Sequence, residues 1–181
     1  MPDTTKLVFF DMDGVLAEFD TEVYRMYGIE KPAEKRDHFF IETDVEKRWE
    51  VCEQGIEREG IEFWENLKPI YPMIDLFYEC KQMEGIRPVI LSSPGEWTYS
   101  YKGKLNWIKK HMDFVGDDWI FTRQKGFIAD KGRILIDDWD KNIKNWNNFG
   151  GSGLIPDFIG YKTEFPTFSV EQIRRRIFSG C

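Results

Sequence analysis

Cysteine is scarce. The 181-residue chain has Cys52, Cys80 and Cys181, an odd count without paired spacing, which leaves neither a disulfide framework nor a zinc pattern. No apolar run approaches the roughly 18 residues needed to span a bilayer, and no charged-then-apolar leader opens the chain. These lacks predict a reducing, cytoplasmic setting and no membrane partner. Positive charge is also short, with 25 Lys and Arg against 32 Asp and Glu and a formal net charge of −7. An acidic chain repels nucleic-acid backbones unless basic residues gather on one face. The dense basic run, Arg174-Arg175-Arg176, reads as a solvated helix end, so nucleic acid is not an expected partner. Repeats and low-complexity tracts are missing too, and no pattern dictates an oligomeric state.

Aromatic residues are plentiful at 16%, within a hydrophobic share of 41%. That supply excludes disorder and is enough for one α/β domain with a sizeable core. Short apolar runs read as buried parallel strands: Lys6–Phe10, Arg87–Leu91, Arg133–Ile136 and Trp119–Phe121. Leu154-Ile155 or Phe158-Ile159 is expected to add a last one after the Gly150-Gly151-Ser152-Gly153 turn. Helical spacing fills Met73–Met83 and Lys104–Met112. Strands alternating with helices predict a doubly wound, Rossmann-like α/β sheet. From about Ala17 to Leu67 there is helical periodicity without a strand, as at Val23, Tyr24, Tyr27, Val45, Trp49, Cys52 and Ile56. Some fifty residues are too many for a loop in a compact domain. The expected organisation is therefore a core of residues 1–16 and 69–181, with residues 17–68 inserted after the first strand as a small helical cap.

Three of these strands end in polar residues: Asp11/Asp13, Ser92/Ser93 and Asp137/Asp138. In a parallel sheet the carboxyl ends of the strands open on one crevice, where ligands bind. Convergence would place four carboxylates together, which raises their pKa values and costs several kcal/mol unless a cation neutralises them. Hard oxygen donors with room for water suit Mg²⁺ and a substrate phosphate oxygen. Asp11 can then attack phosphorus, with Asp13 as acid and base. Ser92 offers a hydroxyl, and with Ser93 backbone N–H groups, to a second phosphate oxygen. A Lys from the following helix would neutralise the remaining charge. Alone, Asp-x-Asp-Gly also suits a turn or a calcium-type loop; its company at two other strand ends favours catalysis.

Asp11-Met12-Asp13-Gly14-Val15-Leu16, Ser92, a downstream Lys and Asp137-Asp138 resemble, in order, the four motifs of the haloacid dehalogenase (HAD) superfamily. Lys104-Leu105-Asn106-Trp107 is similar to the Lys-x-x-Trp of one branch, the 5′(3′)-deoxyribonucleotidases, and nominates Lys104 as the motif lysine. Asp11 through Phe19, Phe63-Trp64-Glu65-Asn66-Leu67-Lys68-Pro69-Ile70 and Thr122-Arg123-Gln124-Lys125 resemble three further segments of that branch. The resemblance implies a HAD fold and a Mg²⁺-dependent phosphomonoester hydrolase acting on nucleoside monophosphates through an aspartyl-phosphate. It implies Asp11, Asp13, Ser92 and Lys104 as catalytic residues, and Asp11, Asp13, Asp137 and Asp138 on the metal. Phe19, Phe63, Trp64, Ser93, Arg123 and Lys125 are then expected on the substrate, the aromatic trio by stacking on a base. The chain departs from the pattern at Ile70-Tyr71-Pro72-Met73, at Gly95-Glu96-Trp97 and over Tyr161–Cys181. Rival readings are a HAD phosphatase for another small phosphate or a nucleic-acid 3′-phosphate, and a catalytically silent HAD-like binding domain. Keeping both Asp11 and Asp13 speaks against silence.

Overall fold

The computed structural model describes residues 5–26, 28, 53–159 and 163–179. Tyr27, Val45, Trp49 and Cys52, part of the periodic stretch, lie outside them. Strands β1 (Lys6–Phe10), β2 (Ile86–Ser92), β3 (Trp119–Phe121), β4 (Ile134–Ile136), β5 (Ser152–Pro156) and β6 (Thr167–Phe168) form one sheet. Its order is β3-β2-β1-β4-β5-β6, and every pairing is parallel. The helices are α1 (Phe19–Met26), α2 (Ile61–Glu65), α3 (Tyr71–Gln82), α4 (Ser100–His111), α5 (Asp140–Asn148) and α6 (Val170–Phe178), with residues 53–59 also helical. No helix among the described residues is long and apolar enough to cross a membrane.

The central strand explains the two layers. Successive side chains of a strand point to opposite faces, so Val8 and Phe10 enter one core and Phe9 the other. Phe10 meets Phe77 of α3 at 5.0 Å between ring centroids, and Phe9 meets Trp146 of α5 edge-on at 5.3 Å. Helices α3, α4 and α6 cover the first face, whereas Ile143 and Trp146 of α5 cover the second. Each of the four expected strand runs is a strand, and β5 takes the Leu154-Ile155 alternative. Sequence periodicity missed α5 and β6, while α6 carries the basic run read as a helix end. Strand β6 has two residues, too few to show a period, and its pairing with β5 is a tertiary fact.

Two stretches far apart in sequence pair beside the site. Ala17 bridges Pro69, Glu18 N–H donates to the Lys68 carbonyl at 2.8 Å, and Ile70 N–H donates to the Leu16 carbonyl at 2.8 Å. Residues 16–18 and 68–70 are thereby held together. Helix α2 is tied to α4: Trp107 Nε1 of α4 donates to the Leu67 carbonyl at 2.7 Å, and Asn106 donates to Glu65 at 2.9 Å. Gly103 permits this approach, because a Cβ there would stand 2.4 Å from Trp64 Cβ and 2.8 Å from the Ile61 carbonyl oxygen.

Candidate active site

The sheet order places β2, β1 and β4 side by side, so their polar ends must meet. Asp11 N–H donates to the Ile136 carbonyl at 2.8 Å, and this bond sets Asp11 level with Asp137. Beyond Asp11 the chain turns sharply, with the Met12 carbonyl accepting from Leu16 and Ala17 N–H at 2.9 and 2.8 Å. Gly14 sits in this turn at φ 71°, where an L side chain is strained. The Asp138 carboxylate lies over it: a Cβ on Gly14 would be 2.0 Å from Asp138 Oδ2.

Asp11, Asp137 and Asp138 each bring a carboxylate oxygen within 4.8 Å of the others. Lys125 lies buried among them, 2.8 Å from Asp11 Oδ1 and 2.7 Å from Asp137 Oδ2. Burial alone would lower the Lys125 pKa, but Asp11 and Asp137 more than reverse that and raise it. Asp137 also accepts from Trp139 N–H at 2.9 Å and from Asn142 at 3.1 and 3.0 Å. Burial is the main cause that pushes Asp137 up to about 6; Lys125 opposes this and Asp11 adds to it. Asp138 is raised well above the usual carboxylate range by burial and then by the charges of Asp20, Asp137 and Asp11. One lysine thus faces three crowded carboxylates. Hard oxygen donors with surplus negative charge fit a Mg²⁺ ion.

Asp13 faces elsewhere. Its Oδ2 accepts from Lys104, whose ammonium also donates to Ser92 Oγ at 3.2 Å and to the Ser93 carbonyl at 2.6 Å. Asp13 Oδ1 is the single buried side-chain polar atom without a hydrogen-bond partner among the described residues. Burial raises the Asp13 pKa, Lys104 lowers it in part, and Asp11 raises it further. A carboxyl group with an unbonded oxygen and an elevated pKa is suited to carrying a proton.

The site residues expected from the sequence divide into three groups. Asp11, Asp13, Ser92, Ser93, Lys104, Lys125, Asp137 and Asp138 are brought together, although Asp13's carboxylate is not one of the three that cluster as metal donors. Phe19, Phe63 and Trp64 form one aromatic group beside Lys104: Phe19 stacks on Trp64 at 5.5 Å and 15°, and Phe63 meets Trp64 edge-on at 4.9 Å. Arg123 stays outside, largely exposed and paired with Glu96 at 2.7 Å. The Ser93 hydroxyl accepts from Gly95 N–H at 3.2 Å and so serves its own turn. Sequence reasoning missed three residues. Asn142 braces Asp137 from the first turn of α5, Asp20 lends its buried charge beside Asp138, and Trp97 stands 5.3 Å from Trp64. Asn142 follows Asp137 by five residues, a spacing that has meaning only once α5 is known.

The family model described as "5' nucleotidase, deoxy (Pyrimidine), cytosolic type C protein" matches residues 5–157, most of the chain. The chain belongs to this family. Membership accords with the geometry, since the matched span contains every strand-end residue of the site. Two curated relatives are the mitochondrial 5′(3′)-deoxyribonucleotidases of Mus musculus and Homo sapiens. Both are 27% identical over 146 residues and 72% of this chain, covering 63% and 61% of their own lengths. The match thus spans a little under two thirds of those relatives. Among solved structures, a HAD family hydrolase from Deinococcus radiodurans R1 with bound phosphate and sodium superposes with a TM-score of 0.58 at 13% identity. That superposition covers 98% of this chain and 90% of the other. It shows that the fold is HAD-like.

Proposed function

We propose that this chain is a Mg²⁺-dependent phosphomonoester hydrolase that takes nucleoside monophosphates, deoxyribonucleotides above all, with Asp11 as nucleophile. The reading is carried by one observation: Asp11 ends the central strand between Lys125 and two further carboxylates, while Asp13 presents a lysine-held carboxyl with an unbonded oxygen. Family membership and the deoxyribonucleotidase relatives support the substrate class.

Asp11 Oδ1 accepts from Met12 N–H at 2.7 Å and from Lys125, which leaves Oδ2 to meet phosphorus. Its attack forms the aspartyl-phosphate and breaks the ester P–O bond, and the departing nucleoside oxygen takes its proton from Asp13. Water then attacks phosphorus and gives its proton to Asp13. The Asp11–phosphorus bond breaks, releasing inorganic phosphate. Ser92 holds a phosphate oxygen, Lys104 braces Asp13 and Ser92, and Lys125 steadies Asp11 and Asp137. Asp11, Asp137 and Asp138 would hold the Mg²⁺ ion, which when bound neutralises the phosphate charge. Here Lys125, not only Lys104, takes a catalytic task, because it contacts the nucleophile directly.

The test is phosphate release from 5′- and 3′-nucleoside monophosphates and sugar phosphates with Mg²⁺. Wild type should prefer the nucleotides, and Asp11→Asn should lose at least about three orders of magnitude, roughly 4 kcal/mol of transition-state stabilisation. Activity surviving that substitution would refute the nucleophile, and faster turnover of sugar phosphates would refute the substrate class.

A further inference from the structure

Trp64 of α2 stands beside Lys104, yet it is 1% exposed, so neither ring face is open to a nucleobase. Phe19 is stacked on it, Phe63 and Trp97 close other sides, and its Cβ is wedged against Gly103 of α4. What stands over the ring is Lys104 Nζ, 4.7 Å from the centroid. Lys104 is itself 1% exposed. Its ammonium has three donors, and it has three oxygen partners: Asp13 Oδ2, Ser92 Oγ and the Ser93 carbonyl. The ring occupies the direction from which water would otherwise reach the amine, and its electron-rich face attracts a desolvated cation.

We propose that Trp64 is a positioning residue: it holds the Lys104 ammonium against Asp13 and Ser92, and so acts on the phosphate chemistry rather than on the base. The inference rests on the phosphohydrolase reading above. The α2–α4 contact through Gly103 thereby becomes part of the site, because it presses the ring onto the residue next to Gly103. Without the ring, the ammonium gains hydration and freedom, and its hold on the acid–base carboxylate weakens for every phosphomonoester, whatever the leaving group.

The experiment measures kcat and KM for wild type, Trp64→Leu and Trp64→Phe on a deoxynucleoside monophosphate and on p-nitrophenyl phosphate, which has no base. Trp64→Leu should lower kcat about tenfold on both substrates, equivalent to about 1.4 kcal/mol, with KM changed less than about twofold. Trp64→Phe keeps a π face and should recover most of the loss. A rise in KM for the nucleotide alone would make Trp64 a base-binding residue and overturn the proposal; equal losses in both variants would make it a space-filler and overturn it too. Leucine also removes core volume, so fluorinated tryptophan placed at position 64 is the second variant, with the same shape and a depleted ring face. Turnover should fall stepwise with fluorination, and constant turnover would overturn the proposal. A readout independent of activity is the ring-current shift of the Lys104 side-chain protons. It should be present in wild type and lost in Trp64→Leu; its absence from wild type would refute the placement. A wild type inert towards every phosphomonoester but showing that shift would refute the phosphohydrolase reading alone.

Discussion

At the scale of single residues, the site depends on what lies behind each charged group. Asp137 is held by Lys125, Trp139 N–H and Asn142, whereas Asp138 is placed by what is missing at position 14. Gly14 has two constraints at once: a left-handed backbone, which costs other residues roughly 1–2 kcal/mol, and a carboxylate in the space of its Cβ. Gly14→Ala should therefore fold with a stability loss of about 1–2 kcal/mol in denaturant titration. Its phosphate release should fall more than about tenfold, a barrier change of about 1.4 kcal/mol, because Asp138 must move. Full activity in that variant would show that the Asp138 position does not matter.

At the scale of elements, two contacts tie peripheral pieces to the sheet. Helix α6 starts with a capping box, in which the Ser169 hydroxyl accepts from Gln172 N–H and the Gln172 side chain accepts from Ser169 N–H. It buries Ile173 and Ile177, and Arg174 forks onto Glu79 of α3 with two 2.8 Å bonds. The basic run is a helix end, as expected, but a paired one: Arg175 meets Glu171 and Arg176 lies 4.2 Å over the Phe168 ring. The α2–α4 contact is tighter. Gly103→Ala would drive a methyl group into Trp64 and into backbone at Ile61, an overpacking of about 1–3 kcal/mol. For a chain of this size each kcal/mol lowers Tm by about 2–4 °C. A thermal melt should fall accordingly, and an unchanged Tm would mean that α2 yields without cost.

At the scale of the whole molecule, the proposed metal site would couple folding to cation binding through its crowded carboxylates. Asp137 has a raised pKa, so the folded chain holds its proton more tightly than the unfolded chain does. That contribution to stability is complete below the ordinary value of 3.8 and is lost as pH rises through about 6. Without metal, stability from this cluster should fall over that window. A cation that binds only the folded state restores it, by about 2.7 kcal/mol at a hundredfold excess over Kd. Mg²⁺ should therefore raise Tm by several degrees at pH 8 and by less at pH 5. In Asp138→Asn the metal-free Tm should rise and the Mg²⁺ shift should shrink. Equal Mg²⁺ shifts in wild type and variant would remove Asp138 from the metal site.

The sequence alone determined five of the six strands and which strand ends carry acids. These are local properties: an apolar run of five residues followed by Asp is legible without its neighbours. Parallel order then brought Asp11, Ser92 and Asp137 together by topology, as the pattern implied. It did not determine where the lysines point. Lys104 and Lys125 both read as candidate phosphate ligands, and only the packed structure divides them, one onto Asp13 and the other onto Asp11. Nor could it tell buried aromatics from open ones: Trp64 and Phe63 have the composition of a stacking platform, but helix α2 against Gly103 closes over them. Arg123 shares a tetrapeptide with Lys125 yet ends on the surface beside Glu96, while Lys125 is buried on Asp137. Direction and burial of a long side chain depend on contacts remote in sequence, 91 residues away for Lys104 and Asp13, and those exist only once the chain has folded.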